Sequence, residues 1–291
     1  MDSVLTSTFG DFEYLISDDC SGDVSWNMIQ EYTDPRIRSW KYDRNLGEYA
    51  NRNKVLQEAK GKFIIFVDGD DVLYKHTLRN LQEYIQEFPE SVSIWGVWTH
   101  ELSFCKFPVL LQPIETMQWI YAANLPISIM GFGETVFKTE RLKKIGGFKE
   151  DLIAGDSYVK KRIALEGGVL LIPIGLMYWR KSEGQASSRL GQSYNGYKNN
   201  VMIDRIILQQ PFFDDYEDHR KLFKSNTKVR DIKVLFGHTF LRGKVSVWYK
   251  LMRSMDFNYK DLLYLRKHAD FSYKNILVKM NFNGKHRINA K

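Results

Sequence analysis

The sequence is short of the features that mark secreted, membrane-spanning or zinc-binding proteins. Only two cysteines occur in 291 residues. Cys20 and Cys105 lie far apart with no metal-type spacing, so neither a disulfide framework nor a zinc site is expected. A reducing compartment, the cytoplasm, suits such a chain. No basic-then-apolar signal pattern opens the sequence, and the longest apolar stretch, Val169 to Trp179, falls short of the ~20 residues of a membrane-spanning helix. The expectation is a soluble or peripheral protein. Gly-x-Gly-x-x-Gly, phosphate-loop and Gly-x-Ser-x-Gly patterns are missing. The histidines His76, His100, His219, His238, His268 and His286 never take the His-x-x-x-His spacing of a metal site, and are expected to be surface or ordinary structural residues.

What is present is the material of a folded protein. Hydrophobic residues make up 44% and aromatics 14%, with no low-complexity tract, which argues against wholesale disorder. The length exceeds a usual single domain of roughly 100–200 residues, so one large α/β domain with an appended segment is expected. The net charge of +7 is unevenly placed: residues 219–291 hold 18 Lys/Arg against 4 Asp/Glu, and residues 1–218 hold 24 against 31. An acidic body therefore carries a basic tail. Such a tail is either simply solvated or meets something anionic.

Residues 12–17 read as a strand running into Asp18-Asp19, followed by a helix over Val24–Tyr32 and a second strand at Ile37–Trp40. Helical spacing from Glu48 to Lys60 stops at Gly61. Phe63-Ile64-Ile65-Phe66-Val67 is a continuous apolar run, as a central strand covered on both faces requires, and it ends at Asp68-Gly69-Asp70-Asp71. A helix over Lys75–Glu87, a strand at Val92–Trp98, a helix from Glu140, the Gly146-Gly147-Phe148 turn, a helix through Leu165 and a strand at Val169–Ile174 follow. This alternation predicts a mostly parallel doubly wound sheet. Residues after about 205 read as helical and basic, giving a domain of residues 1–210 and an extension of residues 211–291.

In a parallel sheet, ligands bind at the carboxyl ends of the strands. Two of these strands end in carboxylates, Asp18-Asp19 and Asp68-Gly69-Asp70-Asp71. Gathered on one edge they would repel one another unless a cation offsets the charge. Mg²⁺ or Mn²⁺ suits oxygen-only ligands, taking one or two carboxylates while diphosphate oxygens and water complete the shell. Gly69 allows the sharp turn and the close approach of a ligand. Taken alone, Asp-Gly-Asp-Asp is equally a polar turn after a strand.

The order of pieces favours the site. Asp18-Asp19-x-Ser21-x-Asp23, Arg44-Asn45-Leu46-Gly47, Asn51-Arg52-Asn53, Ala59-Lys60-Gly61 and Phe63–Val67 with its acidic tip together resemble the family 2 glycosyltransferases of the GT-A fold, over about residues 2–190. The resemblance implies a nucleotide-sugar donor. It implies that Asp19, with Asp18 beside it, contacts the nucleotide base, and that Asp68, Asp70 and Asp71 bind the ribose and the metal-diphosphate, with Asp70 or Asp71 as direct metal ligand. Asn45 and Arg52 match positions near the donor; read on their own they are a helix-entry turn residue and a surface arginine. An inverting transfer also needs a base apart from the metal. In the family it follows a Gly-Gly-Phe turn, which here is Gly146-Gly147-Phe148 with Asp156 downstream, at a position where an aspartate could also cap the helix.

Two departures stand out. Met1 falls where the family's first helix has already begun, so the opening apolar strand that lines the nucleotide pocket has no counterpart here. That implies either a start further upstream or a sheet whose activity is compromised. At Tyr178-Trp179-Arg180-Lys181-Ser182, many relatives have histidine where Ser182 stands, so no histidine ligand is expected. Trp95, Trp98, Trp119 and Tyr121 could stack on a sugar ring, although core packing is the expected use of most of them.

The basic tail mixes Lys and Arg with aromatics, as in Phe240 to Lys250, and resembles helices that lie on anionic membrane surfaces. It would bring the enzyme to the inner face of a membrane, beside a saccharide or lipid-linked saccharide acceptor. Nucleic acid is the disfavoured partner, since no recognition motif accompanies the charge. The expected function is inverting transfer from a UDP-sugar to a hydroxyl of a cell-surface polysaccharide or glycolipid. The alternative is a non-catalytic nucleotide-sugar-binding relative. A nucleotidyltransferase would want a Gly- and Lys-rich phosphate loop, which is lacking.

Overall fold

The computed structural model describes residues 1–97, 107–122, 132–180, 194–235, 243 and 245–254. The chain forms two compact units: Met1–Thr116 with Ile127–Ile207, and Met117–Pro126 with Leu208–Lys291.

The first unit opens with α1 (Asp2–Leu5) and a two-stranded parallel ladder of β1 (Tyr14–Asp18) and β2 (Ile37–Lys41), bridged by α2 (Ser25–Gln30). Then come α3 (Glu48–Glu58), β3 (Phe63–Ile65), β4 (Val72–Leu73), α4 (Thr77–Glu87), β5 (Ser91–Gly96), β6 (Val109–Leu111), and α5 (Pro113–Tyr121), which runs on into the second unit. β7 (Thr135–Lys138), α6 (Thr139–Lys144), α7 (Gly155–Ile163), β8 (Gly168–Ile172), β9 (Met177–Tyr178) and α8 (Tyr194–Leu208) complete it. Five strands form the main sheet in the order β3-β7-β5-β8-β6, and β4 pairs with β9 separately.

The layering is that of a doubly wound α/β fold. Val136 and Phe137, adjacent on β7, enter opposite cores, as alternation along a strand requires. Phe137 joins Leu56 of α3, Leu142 of α6, and Val159 and Ile163 of α7 on one side. Val136 joins Leu81 of α4, with Leu78, Ile85 and Phe88 packed around it at helical spacing. Every residue of β5 and β8 is buried. The Ser93 hydroxyl in that dry sheet donates to the Val136 carbonyl at 2.7 Å and accepts from Trp95 Nε1 at 2.9 Å, so no polar group there is stranded.

The mostly parallel sheet expected from the sequence is corrected to a mixed one. Only β1–β2 and β5–β8 are parallel among the described ladders; β3–β7, β5–β7, β6–β8 and β4–β9 are antiparallel. A continuous apolar run reports burial on two faces and carries no information about direction. β3 is also shorter than the run Phe63–Val67, and it forms an end of the five-stranded sheet instead of its centre. Helix α3 ends at Ala59, before Gly61, because Glu13 Oε1 accepts the Lys60 and Gly61 amides at 2.6 and 2.7 Å and draws the chain into an extended path.

In the second unit, Phe213 and Phe223 are fully buried, with the Tyr121 and His219 rings tilted against Phe223 at 5.6 and 5.9 Å between ring centroids. His219 also meets Gln118 at 3.0 Å, so it is a structural histidine as expected. The long helix α9 (Glu217–Leu235) and α10 (Val245–Ser254) supply its described basic surface. Trp95, Trp119 and Tyr121 are core residues; Trp98 lies outside the described residues.

Candidate active site

Three consecutive residues of α3 organise the site. Successive helical side chains project about 100° apart, so Asn51, Arg52 and Asn53 reach three different elements. Asn51 exchanges hydrogen bonds with Ser17 at the end of β1, accepting from its hydroxyl and donating to its carbonyl. Arg52 Nη2 meets Asp68 Oδ1 at 2.7 Å, beyond β3. Asn53 accepts from the Phe148 amide at 2.8 Å and donates to the Phe148 carbonyl at 2.9 Å. At its far end, the helix meets the start of both strands through Glu13 and Lys60-Gly61. β1 and β3 thus run the same way beside one helix, and Asp18-Asp19 and Asp68 to Asp71 share one end of the unit.

The acidic tip is a tight turn closed by the Asp71 amide donating to the Asp68 carbonyl at 3.0 Å. Pairing of β4 with β9 brings the Arg180 amide to Asp71 Oδ1 at 3.2 Å. The Asp71 carboxyl is held above its ordinary range, first by burial and then by the charges of Asp68 and Asp70. This is the electrostatic conflict that a bound cation relieves.

At the β1 tip, Asp18 is buried and accepts the Ser21 amide at 2.7 Å, which fixes the following turn. Asp19 uses both carboxylate oxygens to hold the Leu46 and Gly47 amides, at 2.7 and 2.9 Å. Asn45 donates to the Asp19 carbonyl at 3.1 Å. These residues build the rim loop together.

Arg52 is no surface arginine. Its guanidinium stacks over Phe132 at 4.3 Å from the ring centroid, and its side chain is only 12% exposed. Nη1 pairs with Glu48 Oε1 at 2.7 Å, one helical turn earlier. Phe132, Phe148 and Phe66 form the aromatic wall behind it, with centroids 5.4 Å apart in each pair. The sequence reading missed Glu48, Tyr49 and these rings; only the Glu48-x-x-x-Arg52 spacing signalled the first of them.

Asp156 lies in the first turn of α7, with Ala154 at the cap, so it is not the capping residue itself. Its Oδ1 accepts the Ser157 amide at 2.7 Å. Tyr49 fixes this helix start: its hydroxyl donates to the Ile153 carbonyl at 3.1 Å, and a Cβ on Gly155 would lie 2.9 Å from its ring. Burial, followed by the charges of Asp156 and Glu48, pushes the Tyr49 phenol up. The Glu48 carboxyl is raised by burial and by Asp68 and Asp156, against the pull of Arg52. Asp156 therefore shares an electrostatic neighbourhood with the Glu48–Arg52–Asp68 chain.

Among the described residues, no three His, Cys, Asp or Glu side chains converge to cage a metal. The residues at the tip fit an ion held by one or two of Asp70 and Asp71 and completed by diphosphate oxygens. Ser182 lies outside the described residues.

Residues 1–124 match the family described as Glycosyl transferase family 2. The match spans less than half of the chain. TuaG of Bacillus subtilis (strain 168), named as a teichuronic acid biosynthesis glycosyltransferase, is 36% identical over 96 residues, 32% of this chain and 38% of TuaG. TarS of Staphylococcus aureus, a poly(ribitol-phosphate) beta-N-acetylglucosaminyltransferase, is 32% identical over 84 residues, 28% of this chain. These matches span well under half of either relative, 15% in the case of TarS. The crystal structure of TarS 1-349 with UDP-GlcNAc superposes with a TM-score of 0.66 at 18% identity, covering 94% of this chain and 84% of that one. A mannosyltransferase of Pyrobaculum calidifontis in complex with GDP-Man and Mn²⁺ superposes at 0.53 with 15% identity, over 96% and 77% of the two chains. The described chain thus has the GT-A fold of these glycosyltransferase structures.

Proposed function

We propose that this chain is an inverting glycosyltransferase that moves a sugar from a UDP-sugar to a hydroxyl of a cell-surface polysaccharide or glycolipid. The carrying observation is the set of ties through which Asn51, Arg52 and Asn53 bind the β1 tip, the acidic turn and the Gly-Gly-Phe turn to one helix. The loop braced by Asp19 and Asn45, beside Asp18, would border the nucleoside, and Asp68 the ribose. Asp70 and Asp71 would hold Mg²⁺ or Mn²⁺, which would neutralise the departing diphosphate. The acceptor oxygen attacks the anomeric carbon, the bond from that carbon to the diphosphate breaks, and the Asp156 carboxylate takes the hydroxyl proton. Phe132 and Phe148 hold Arg52 so that its guanidinium serves the donor without shifting.

The relatives support this reading in their names: TarS binds UDP-GlcNAc and is a beta-transferase, and a beta product from an alpha-linked nucleotide sugar is an inversion. The extension of residues 211–291 would dock on an anionic membrane surface. Its α10 exposes Val245 and Tyr249 beside Lys250 and Arg253, and no helix among the described residues is long and apolar enough to cross a membrane.

Calorimetric titration with UDP and Mn²⁺ tests the site. Asp70→Asn and Asp71→Asn should each weaken metal-dependent UDP binding by about tenfold or more, as loss of a charged ligand does. Unchanged binding in both variants would remove the metal assignment. Tight UDP binding without sugar transfer in the wild type would favour the non-catalytic alternative.

A further inference from the structure

The acidic tip is braced at both of its ends from one short turn. Phe132, Gly133 and Glu134 form a single 3-10 turn that leads into β7. Phe132 lies under the Arg52 guanidinium, which holds Asp68 at the start of the tip. Gly133 packs on Met177 of β9 so closely that a side chain there would meet the Met177 sulfur. Glu134, itself buried, accepts the Leu176 amide at 2.7 Å just before β9. Gly96 at the end of β5 leaves room for this carboxylate, since a Cβ there would lie 2.8 Å from Glu134 Oε2.

β4 and β9 pair over only two residues each, Val72 with Tyr178 and Leu73 with Met177. So short a ladder is marginal by itself and takes its place from what grips it. The grip is on the Leu176 peptide. Glu134 accepts from its amide, and its carbonyl accepts from the Thr77 hydroxyl at 2.6 Å and the Tyr74 amide at 3.2 Å. The ladder then carries the Arg180 amide to Asp71 Oδ1, at the end of the tip.

We propose that Glu134 is a positioning residue for Asp71, setting β9 and, through β9, the place of that carboxylate before any ligand arrives. An ion held by one or two carboxylates gains from having them placed beforehand, because ordering them on binding costs affinity. The purpose of the brace rests on the reading of Asp71 as a metal ligand.

Hydrogen exchange followed by NMR reads the brace directly. In Glu134→Ala the Leu176 and Arg180 amides should exchange about tenfold faster or more, while those of β5 and β8 keep their protection. Glu134→Gln, which retains an accepting oxygen, should leave both amides near wild type. An Arg180 amide that exchanges at the wild-type rate in Glu134→Ala overturns the proposal. Calorimetry with UDP, in Mn²⁺ and in EDTA, reads the consequence. The gain in UDP affinity that Mn²⁺ gives should fall about tenfold in Glu134→Ala and return in Glu134→Gln, with the metal-free affinity unchanged. An equal loss with and without metal would overturn the proposal and make Glu134 structural only. Because Glu134 acts through Asp71, Glu134→Ala should add no further loss to Asp71→Asn, and additive losses would count against it. If Glu134→Ala does not fold, Thr77→Val releases the Leu176 carbonyl from the other side; the Mn²⁺ gain should then fall about threefold, and an unchanged gain overturns the proposal. Should Asp71→Asn leave the Mn²⁺ gain intact, the metal assignment fails by itself, and the Arg180 amide alone decides the brace.

Discussion

Arg52 shows how one side chain joins stability to function. Its guanidinium lies between Glu48 and Asp68 and on the face of Phe132. Both carboxylate partners are about half exposed, so the ion pairs contribute little, and the stacked, desolvated contact contributes most. Arg52→Lys cannot keep the fork and the stack together. It should lower stability by about 1 kcal/mol, seen as a drop in denaturant midpoint, and weaken UDP binding about tenfold. Asp156→Asn should behave differently: kcat should fall by about 10²–10⁴ with UDP affinity kept, measured by single-turnover transfer beside calorimetry. Loss of UDP binding instead would make Asp156 a structural residue. The sequence exposed Arg52 as a motif position yet read it on its own as a surface residue, because Phe132 is distant in the chain and joins it only through folding.

At the scale of elements, α3 and the start of α7 are fitted to each other. Asn53 closes on the backbone of Phe148 and also donates to Glu150 at 3.0 Å. Gly147, in the left-handed region at φ 69°, brings its backbone against Asn53 so closely that a side chain there would collide. Asn53→Ala should cost about 1–3 kcal/mol through backbone groups left unpaired. Gly155→Ala would press a methyl into the Tyr49 ring, and should cost about 1–3 kcal/mol by overpacking. Thermal unfolding checks both. Gly155→Ala should also slow transfer more than it weakens UDP binding, since the displaced helix start carries Asp156. The helices were legible because apolar spacing and breakers mark them. Strand directions were not, because β7 is buried like a parallel strand but enters its sheet from the other end.

At the scale of the whole molecule, charge is divided between the two ends of the chain. Residues 219–291 hold 18 Lys/Arg against 4 Asp/Glu, and a surface of that sign is drawn to anionic lipid by about 1 kcal/mol per basic residue near it. The full chain should therefore float with phosphatidylglycerol vesicles at low salt and release as salt rises past ~0.3 M, where screening shortens the range of attraction. Equal binding to neutral vesicles would rule out the electrostatic docking. By itself the sequence determined the acidic tips, the Asn51-Arg52-Asn53 segment, the Gly-Gly-Phe turn and the family resemblance, since each depends on residue identity and short spacing. Tertiary structure alone decided that three adjacent side chains of α3 bind three separate elements and that Asp71 is crowded by its own neighbours. It alone decided that the Phe132–Glu134 turn reaches both Arg52 and the start of β9. Those facts depend on which distant segments pack together, and packing is settled by the summed burial of surfaces that no local pattern records.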